Sequence, residues 1–173
     1  RRQRQMCIRD RSTLHPVSGR FEFVRAADGT TAIVDYAHTP DALEKVLQTV
    51  EEIRRPGQQL FVLCGCGGDR DREKRPQMGR IVSRLADVAV VTSDNPRWEQ
   101  PEKIIEDILP GLTGPAESVV ICDRREAIGW ALKNSRPRDV IVLCGKGHET
   151  YQEVCGEKRH MDERELVAAY TNG

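Results

Sequence analysis

The sequence predicts an α/β fold: a mainly parallel sheet flanked by helices, with an N-terminal β-hairpin. Three observations predict it. Continuous apolar runs such as Leu60-Phe61-Val62-Leu63-Cys64 and Val140-Ile141-Val142-Leu143-Cys144 suit strands covered on both faces. Segments with a 3.6-residue apolar period separate these runs, as right-handed βαβ units require. Polar, often glycine-containing stretches stand directly after the strands, where ligands of such sheets sit.

The elements follow in order. Phe21-Glu22-Phe23-Val24 alternates as a strand, Asp28-Gly29 marks a turn, and Ala32-Ile33-Val34-Asp35 returns as its hairpin partner. Pro40 suits a first helical turn, because its missing N–H costs nothing there. Leu43, Val46, Leu47, Val50 and Ile53 give that helix its apolar face, and Pro56-Gly57 ends it. After the strand at Leu60, a helix is expected from about Pro76 to Leu85, then a strand from Val88 to Thr92. Pro101 opens a helix bearing Ile104, Ile105, Ile108 and Leu109. Val119-Val120-Ile121-Cys122 is the next strand and Arg125 to Lys133 the next helix. After the strand at Val140, a short strand or hairpin around Tyr151 to His160 and a helix from Asp162 complete the chain.

The chain has 173 residues, one domain's worth. With 38% hydrophobic and 31% charged residues it is too apolar for disorder. Lys+Arg and Asp+Glu are equal at 27 each, so no net charge draws it to nucleic acid or an anionic membrane. It has no apolar run long enough to span a bilayer and no signal-like N-terminal stretch. Of six cysteines, Cys64, Cys66, Cys122 and Cys144 fall in or at the end of apolar runs and are expected to be buried. None has CxxC spacing, and structural thiols in a reducing cytoplasm are the expected reading. The leader, Arg1 to Ser12, is rich in Arg and Gln and lacks periodicity. Its Met6-Cys7-Ile8-Arg9-Asp10-Arg11 back-translates to a transposon end used in sequencing-library preparation. It is therefore expected to be an assembly artefact rather than a genuine basic linker.

Four polar loops should share one rim. Gly65-Cys66-Gly67-Gly68-Asp69-Arg70-Asp71-Arg72 could let backbone N–H groups approach an anion, or be a plain tight turn. It is neither a Walker loop nor a GxGxxG fingerprint. Arg70 could pair a ligand carboxylate or a neighbouring Asp. In Asp94-Asn95-Pro96-Arg97, Arg97 could grip a carboxylate through two hydrogen bonds or stand exposed at a helix entry. Gly145-Lys146-Gly147-His148-Glu149 offers a carboxylate and carbonyls suited to an ammonium; metal binding there lacks further ligands. Asp35, His38 and Asp41 could face a nucleotide or cap a helix. An arginine for one or two carboxylates beside an acid for an ammonium is the footprint of an amino-acid site.

Taken together, the motifs resemble a known family. They are Gly19-Arg20-Phe21-Glu22, Asp35-Tyr36-Ala37-His38-Thr39-Pro40-Asp41, the Gly65 to Asp71 loop, Lys74-Arg75-Pro76, Asp94-Asn95-Pro96-Arg97 and Gly145-Lys146-Gly147-His148-Glu149. Their order and spacing are similar to the C-terminal domain of the Mur ligases of MurE type, from Leu14 to about Val167, and the domain is placed at residues 13–173. The resemblance implies a Rossmann-like domain of a ligase that forms amide bonds in peptidoglycan biosynthesis. In that family ATP phosphorylates the D-Glu carboxylate of UDP-MurNAc-L-Ala-D-Glu, and the amine of the third amino acid attacks the acyl phosphate.

The resemblance also assigns residues. Arg70, Asn95, Arg97, Gly145 and Glu149 match positions that bind meso-diaminopimelate, with Asp94 and Pro96 shaping the recognition loop. Arg97 would hold the far carboxylate; the Gly145 carbonyl and Glu149 would hold the far ammonium. Lysine lacks that carboxylate and would leave Arg97 unpaired, which a polar site rejects. Arg20, Asp35, His38 and Asp41 match positions that reach ATP. The uridine-nucleotide domain and the central domain, which carries the phosphate loop and Mg²⁺ ligands, have no counterpart in these residues. No residue is given a catalytic or metal-binding role, and the piece alone is expected not to turn over. A stand-alone amino-acid-binding module and a lysine-adding relative are the competing readings.

Overall fold

A computed structural model describes residues 18–27 and 29–170. The leader, Cys7 and the turn residue Asp28 lie outside the described residues.

Eight strands and five α-helices are described. Strands β1 (Glu22–Arg25), β2 (Thr31–Asp35), β3 (Leu60–Cys64), β4 (Val88–Val91), β5 (Glu117–Val120) and β6 (Val140–Cys144) form one sheet in the order β1-β2-β6-β3-β4-β5. Only β1 runs antiparallel, paired with β2 as the predicted hairpin. Strands β7 (Tyr151–Val154) and β8 (Glu157–His160) form a separate antiparallel pair. The helices are α1 (Pro40–Ile53), α2 (Lys74–Leu85), α3 (Pro101–Ile108), α4 (Arg124–Asn134) and α5 (Glu163–Ala168).

The two apolar faces of the sheet explain the continuous runs. Along β3, Leu60, Val62 and Cys64 pack into one core cluster with Leu43, Leu47 and Val50 of α1, Met78 and Val82 of α2, and Ile104 and Ile108 of α3. Phe61 and Leu63 point to the other face, where Ala127, Ile128 and Ala131 of α4 and Val167 of α5 cover them. A strand buried on both faces has no room for polar alternation.

Several boundaries differ from the sequence reading. Phe21 stands before β1 with φ 48°, because its N–H is drawn to the Asp35 carboxylate. Helix α2 starts at Lys74, two residues before Pro76, which fits the first turn where no N–H partner is needed. Leu109 leaves α3 for a 3₁₀ turn, Leu109–Gly111. Strand β5 begins at Glu117 and is mostly exposed, as an edge strand is. Cys122 is consequently only half-buried, not buried as expected; Cys64, Cys66 and Cys144 are buried. Burial raises the Cys64 and Cys144 thiols above their ordinary range and pushes Cys66 up to about 11. These three are inert structural thiols.

Candidate functional site

The carboxyl ends of β2, β3, β4 and β6 open onto one rim, and a cleft of about 400 Å³ lies there. It is lined by Tyr36, His38 and Thr39 after β2, by Gly67, Arg70, Asp71 and Lys74 after β3, by Asp94, Asn95 and Arg97 after β4, and by Gly145 and Glu149 after β6. The four loops thus converge as predicted.

The glycines of the second loop earn their place through packing. A Cβ at Gly68 would lie 1.9 Å from the Pro96 carbonyl oxygen, and one at Gly65 would lie 2.6 Å from that of Thr92. The loop must therefore press its bare backbone against the Asp94–Arg97 loop. Gly68 N–H donates to the Asn95 carbonyl (2.9 Å), and the Arg97 guanidinium returns a bond from Nη1 to the Gly68 carbonyl (2.7 Å).

The Asp94–Arg97 loop is tied from behind by the small β7–β8 sheet. Gln152 Nε2 donates to Ser93 Oγ (3.0 Å) and to the Asp94 carbonyl (2.7 Å). Glu153 N–H donates to Asn95 Oδ1 (3.0 Å). Arg97 N–H donates to the Glu153 carbonyl, and Cys155 N–H to the Arg97 carbonyl, which makes Arg97 a bridge partner of Val154. Arg97 itself sits at φ 53°. A bulky residue in that region is strained and stays there only when its surroundings impose it. Here two backbone bonds impose it, and Nη2 is left without a protein partner among the described residues. The Arg97 Nε lies 3.5 Å from Glu153 Oε2, which orients the fork.

Two fully buried cations lie beneath these loops, and both were passed over in the sequence reading. Lys146 donates from Nζ to Asn95 Oδ1 (2.9 Å) and Glu149 Oε2 (3.4 Å), and lies 3.7 Å from Asp94 Oδ1. Asn95 Nδ2 donates to the same Glu149 oxygen (2.8 Å). Both ends of the Asn95 amide are thereby fixed, with one of its two N–H groups used. Arg124 donates from Nε to Glu163 (2.7 Å), from Nη1 to the Ser93 carbonyl (3.2 Å) and from Nη2 to the Cys144 carbonyl (2.8 Å). It pins the end of β4 to the end of β6. A third buried cation, Arg75 of α2, holds Glu99 and Asp107. That pairing draws the Glu99 carboxyl down to about 2, chiefly through the Arg75 hydrogen bond.

The remaining predicted residues are placed less uniformly. Arg70 lines the cleft and makes no bond to its neighbours Asp69 and Asp71. Pro96 shapes its loop through its carbonyl, which accepts from Glu99 N–H (3.0 Å). Gly145 adopts φ 114°, a conformation that favours glycine. Of Arg20, Asp35, His38 and Asp41, only His38 lines the cleft. Arg20 and Asp41 are exposed and are not part of its lining. The Asp35 carboxylate accepts from Phe21 N–H (2.8 Å) and Ala37 N–H (2.7 Å), fixing the turn after β2. The cap of α1 is Thr39, whose hydroxyl accepts from Ala42 N–H. Among the described residues, no three of His, Cys, Asp and Glu gather as a metal site.

The family profile described as "Mur ligase, glutamate ligase domain" matches residues 19–147. A UDP-N-acetylmuramoyl-L-alanyl-D-glutamate–2,6-diaminopimelate ligase of Phocaeicola vulgatus is 48% identical over 158 residues, covering 90% of this chain and 33% of the relative. The ligase of the same name from Chromobacterium violaceum is 52% identical over 146 residues, covering 84% of this chain and 29% of the relative. The chain thus spans about a third of the length of these curated relatives. A solved structure of a ligase of that name superposes with a TM-score of 0.79 at 42% identity, over 89% of this chain and 31% of that one. A bifunctional folylpolyglutamate synthase/dihydrofolate synthase of Yersinia pestis shares the fold at 19% identity, with a TM-score of 0.62 over 83% of this chain and 32% of that one.

Proposed function

The chain belongs to the Mur ligase family as a C-terminal domain, and on that premise we propose that its rim cleft is the acceptor site of a diaminopimelate-adding ligase. The reaction class is ATP-dependent amide-bond formation on UDP-MurNAc-L-Ala-D-Glu, in the peptidoglycan synthesis of the cell. The single observation that carries the reading is the pairing of Arg97 with the Asn95–Glu149 wall across one cleft. The guanidinium offers Nη2 to a carboxylate, and Glu149 with the Gly145 carbonyl offers acceptors to an ammonium. An amino acid with a zwitterionic far end satisfies both at once. Arg70 offers a second guanidinium for the carboxylate nearer the reacting amine.

Lysine has only the ammonium at that end. Binding it would desolvate Nη2 of Arg97 with no ligand carboxylate to accept from it, and a site built around polar groups rejects a ligand that leaves them unpaired. The chain's own part in the chemistry is to hold the far end still, so that the free amine is presented at a fixed place and angle.

ATP and Mg²⁺ are the cofactors that this reaction class implies. The residues of this chain assigned to ATP do not by themselves form an enclosed nucleotide site: Arg20 and Asp41 are exposed, and both Asp35 oxygens are engaged by backbone N–H groups. We assign the nucleotide mainly to the central domain that the family resemblance implies, with His38 as this chain's wall-facing contribution.

The test is steady-state kinetics of the complete ligase carrying this domain. Arg97→Ala should raise the KM for meso-diaminopimelate about a hundredfold, the scale expected for losing one partner of a desolvated charge pair. An unchanged KM, or an unchanged preference over lysine, defeats the role given to Arg97.

A further inference from the structure

The charges around the cleft balance. Arg70, Lys74 and Arg97 line it beside Asp71, Asp94 and Glu149. Behind that lining, Lys146 backs the Asp94–Glu149 wall and Glu153 backs Arg97. The Arg124–Glu163 pair deeper down is neutral in itself. Lys146 is the member of this set with no exposure at all. Its ammonium sits within 3.7 Å of three side-chain oxygens on two loops, and the face of Tyr151 lies 5.6 Å away.

An ion in that position is costly unless its surroundings compensate it. A Met would pack there more cheaply, and holding the loops together could be done by neutral hydrogen bonds. What only a cation supplies is a positive charge between two carboxylates that both face the cleft. Without it the Glu149 carboxylate would lose its cation, and Asp94 would be left with Arg124, whose guanidinium is committed to Glu163. Asp94 Oδ1 is already buried without a hydrogen-bond donor, so it has no other close means of relief on its own loop.

We propose that Lys146 is a specificity-determining residue. It sets the charge balance of the cleft so that a far end of zero net charge is preferred over a bare ammonium. This deepens the acceptor reading above and rests on it. A ligand whose far end is a zwitterion adds no charge to a balanced cleft. A ligand ending in an ammonium alone adds one positive charge, which is welcome only where negative charge is in surplus. Lys146 removes that surplus in advance. Arg97 selects for the carboxylate by contact; Lys146 selects against the lone cation by charge, from behind the wall and without touching the ligand.

The two roles a buried lysine could play separate cleanly in a ratio. If Lys146 only braces Asn95 and Glu149, its loss weakens every ligand alike. If it sets the charge balance, its loss moves the ratio of affinities. Removal of a neighbouring carboxylate then moves the ratio the opposite way. The experiment is a ¹H–¹⁵N NMR titration of the 173-residue chain, and of its Lys146→Met and Asp94→Asn variants, with meso-diaminopimelate and with L-lysine. Lys146→Met should lower the diaminopimelate-to-lysine affinity ratio about tenfold, and Asp94→Asn should raise it. A Lys146→Met ratio equal to wild type, or shifts of the same sign in both variants, overturns the proposal. If Lys146→Met loses its dispersed spectrum, Asp94→Asn decides alone: a raised ratio supports the proposal and an unchanged or lowered one overturns it. Failure of the wild-type chain to prefer diaminopimelate would instead defeat the acceptor reading, and this proposal with it.

Discussion

The two halves of the rim differ in how completely this domain builds them. On the proposed acceptor side, Arg70, Asn95, Arg97, Gly145 and Glu149 line one cleft, and most are held from behind. Gln152 and Glu153 hold the recognition loop, Lys146 holds Asn95 and Glu149, and Arg124 ties the two loop roots together. Of the four residues proposed for the nucleotide side, His38 alone lines the cleft, Asp35 is occupied with the local backbone, and Arg20 and Asp41 stand exposed. A site contained in one domain shows its geometry in that domain. A site proposed to be shared shows only scattered side chains until the other wall is present.

The contrast can be broken at its root. Arg124→Met removes the cation that joins the end of β4 to the end of β6 and leaves the buried Glu163 carboxylate unpaired. The expected cost is about 3–5 kcal/mol of stability, because breaking a buried pair strands a charge. Urea unfolding of the chain measures it, and a loss under about 1 kcal/mol would mean that the acceptor half does not depend on this clamp.

The Arg75–Glu99 pair is a second brace, and its signature is in acid. Glu99 has its carboxyl drawn from 4.5 to about 2 in the fold. A depressed carboxyl contributes stability that is full above the unfolded value and is lost as pH falls through the folded one. The stability gap between wild type and Glu99→Gln should therefore be constant above about pH 5 and shrink between 4.5 and about 2. A gap that does not change over that window would remove Glu99 from the account.

The smallest expected effect sharpens the comparison most. His38→Ala should leave acceptor affinity within about twofold, the size of change expected where no buried partner is lost. Its ring contacts Tyr36, with centroids 4.6 Å apart, and its Nδ1 meets the Tyr36 carbonyl, but it bonds to none of the acceptor residues. A titration of the variant with meso-diaminopimelate that shows a tenfold loss would merge the two halves into one site.

The sheet and the rim were legible in the sequence for a simple reason. A strand buried on both faces must be apolar throughout, and its ligand loops must be polar, so Leu60–Cys64 followed by Gly65–Arg72 announces both. The Asp94–Arg97 loop was legible as one of the polar loops of that rim, and it does line the cleft. What was not legible depends on pairs distant in the chain. Lys146 and Arg124 are charged residues, and charged residues are ordinarily exposed; nothing near either in sequence says that it is buried. Gln152 meets the Asp94 carbonyl across 58 residues, and the hairpin carrying it reads as a generic turn-linked pair. The glycines of residues 65–68 were visible, but their reason was not. They are bare so that the Asp94–Arg97 loop can lie against them, a constraint that exists only once both loops are folded. The role of Asp35 was likewise hidden, since a carboxylate at a strand end serves a ligand or the backbone equally well on paper.

The proposed seat for the far end of diaminopimelate is the Arg97–Glu149 cleft. A crystal structure of the chain with meso-diaminopimelate tests it most directly. One carboxylate should lie on the Arg97 guanidinium, with the ammonium of the same end between Glu149 and the Gly145 carbonyl. Ligand seated elsewhere, or seated in the cleft with its far carboxylate turned away from Arg97, would contradict it.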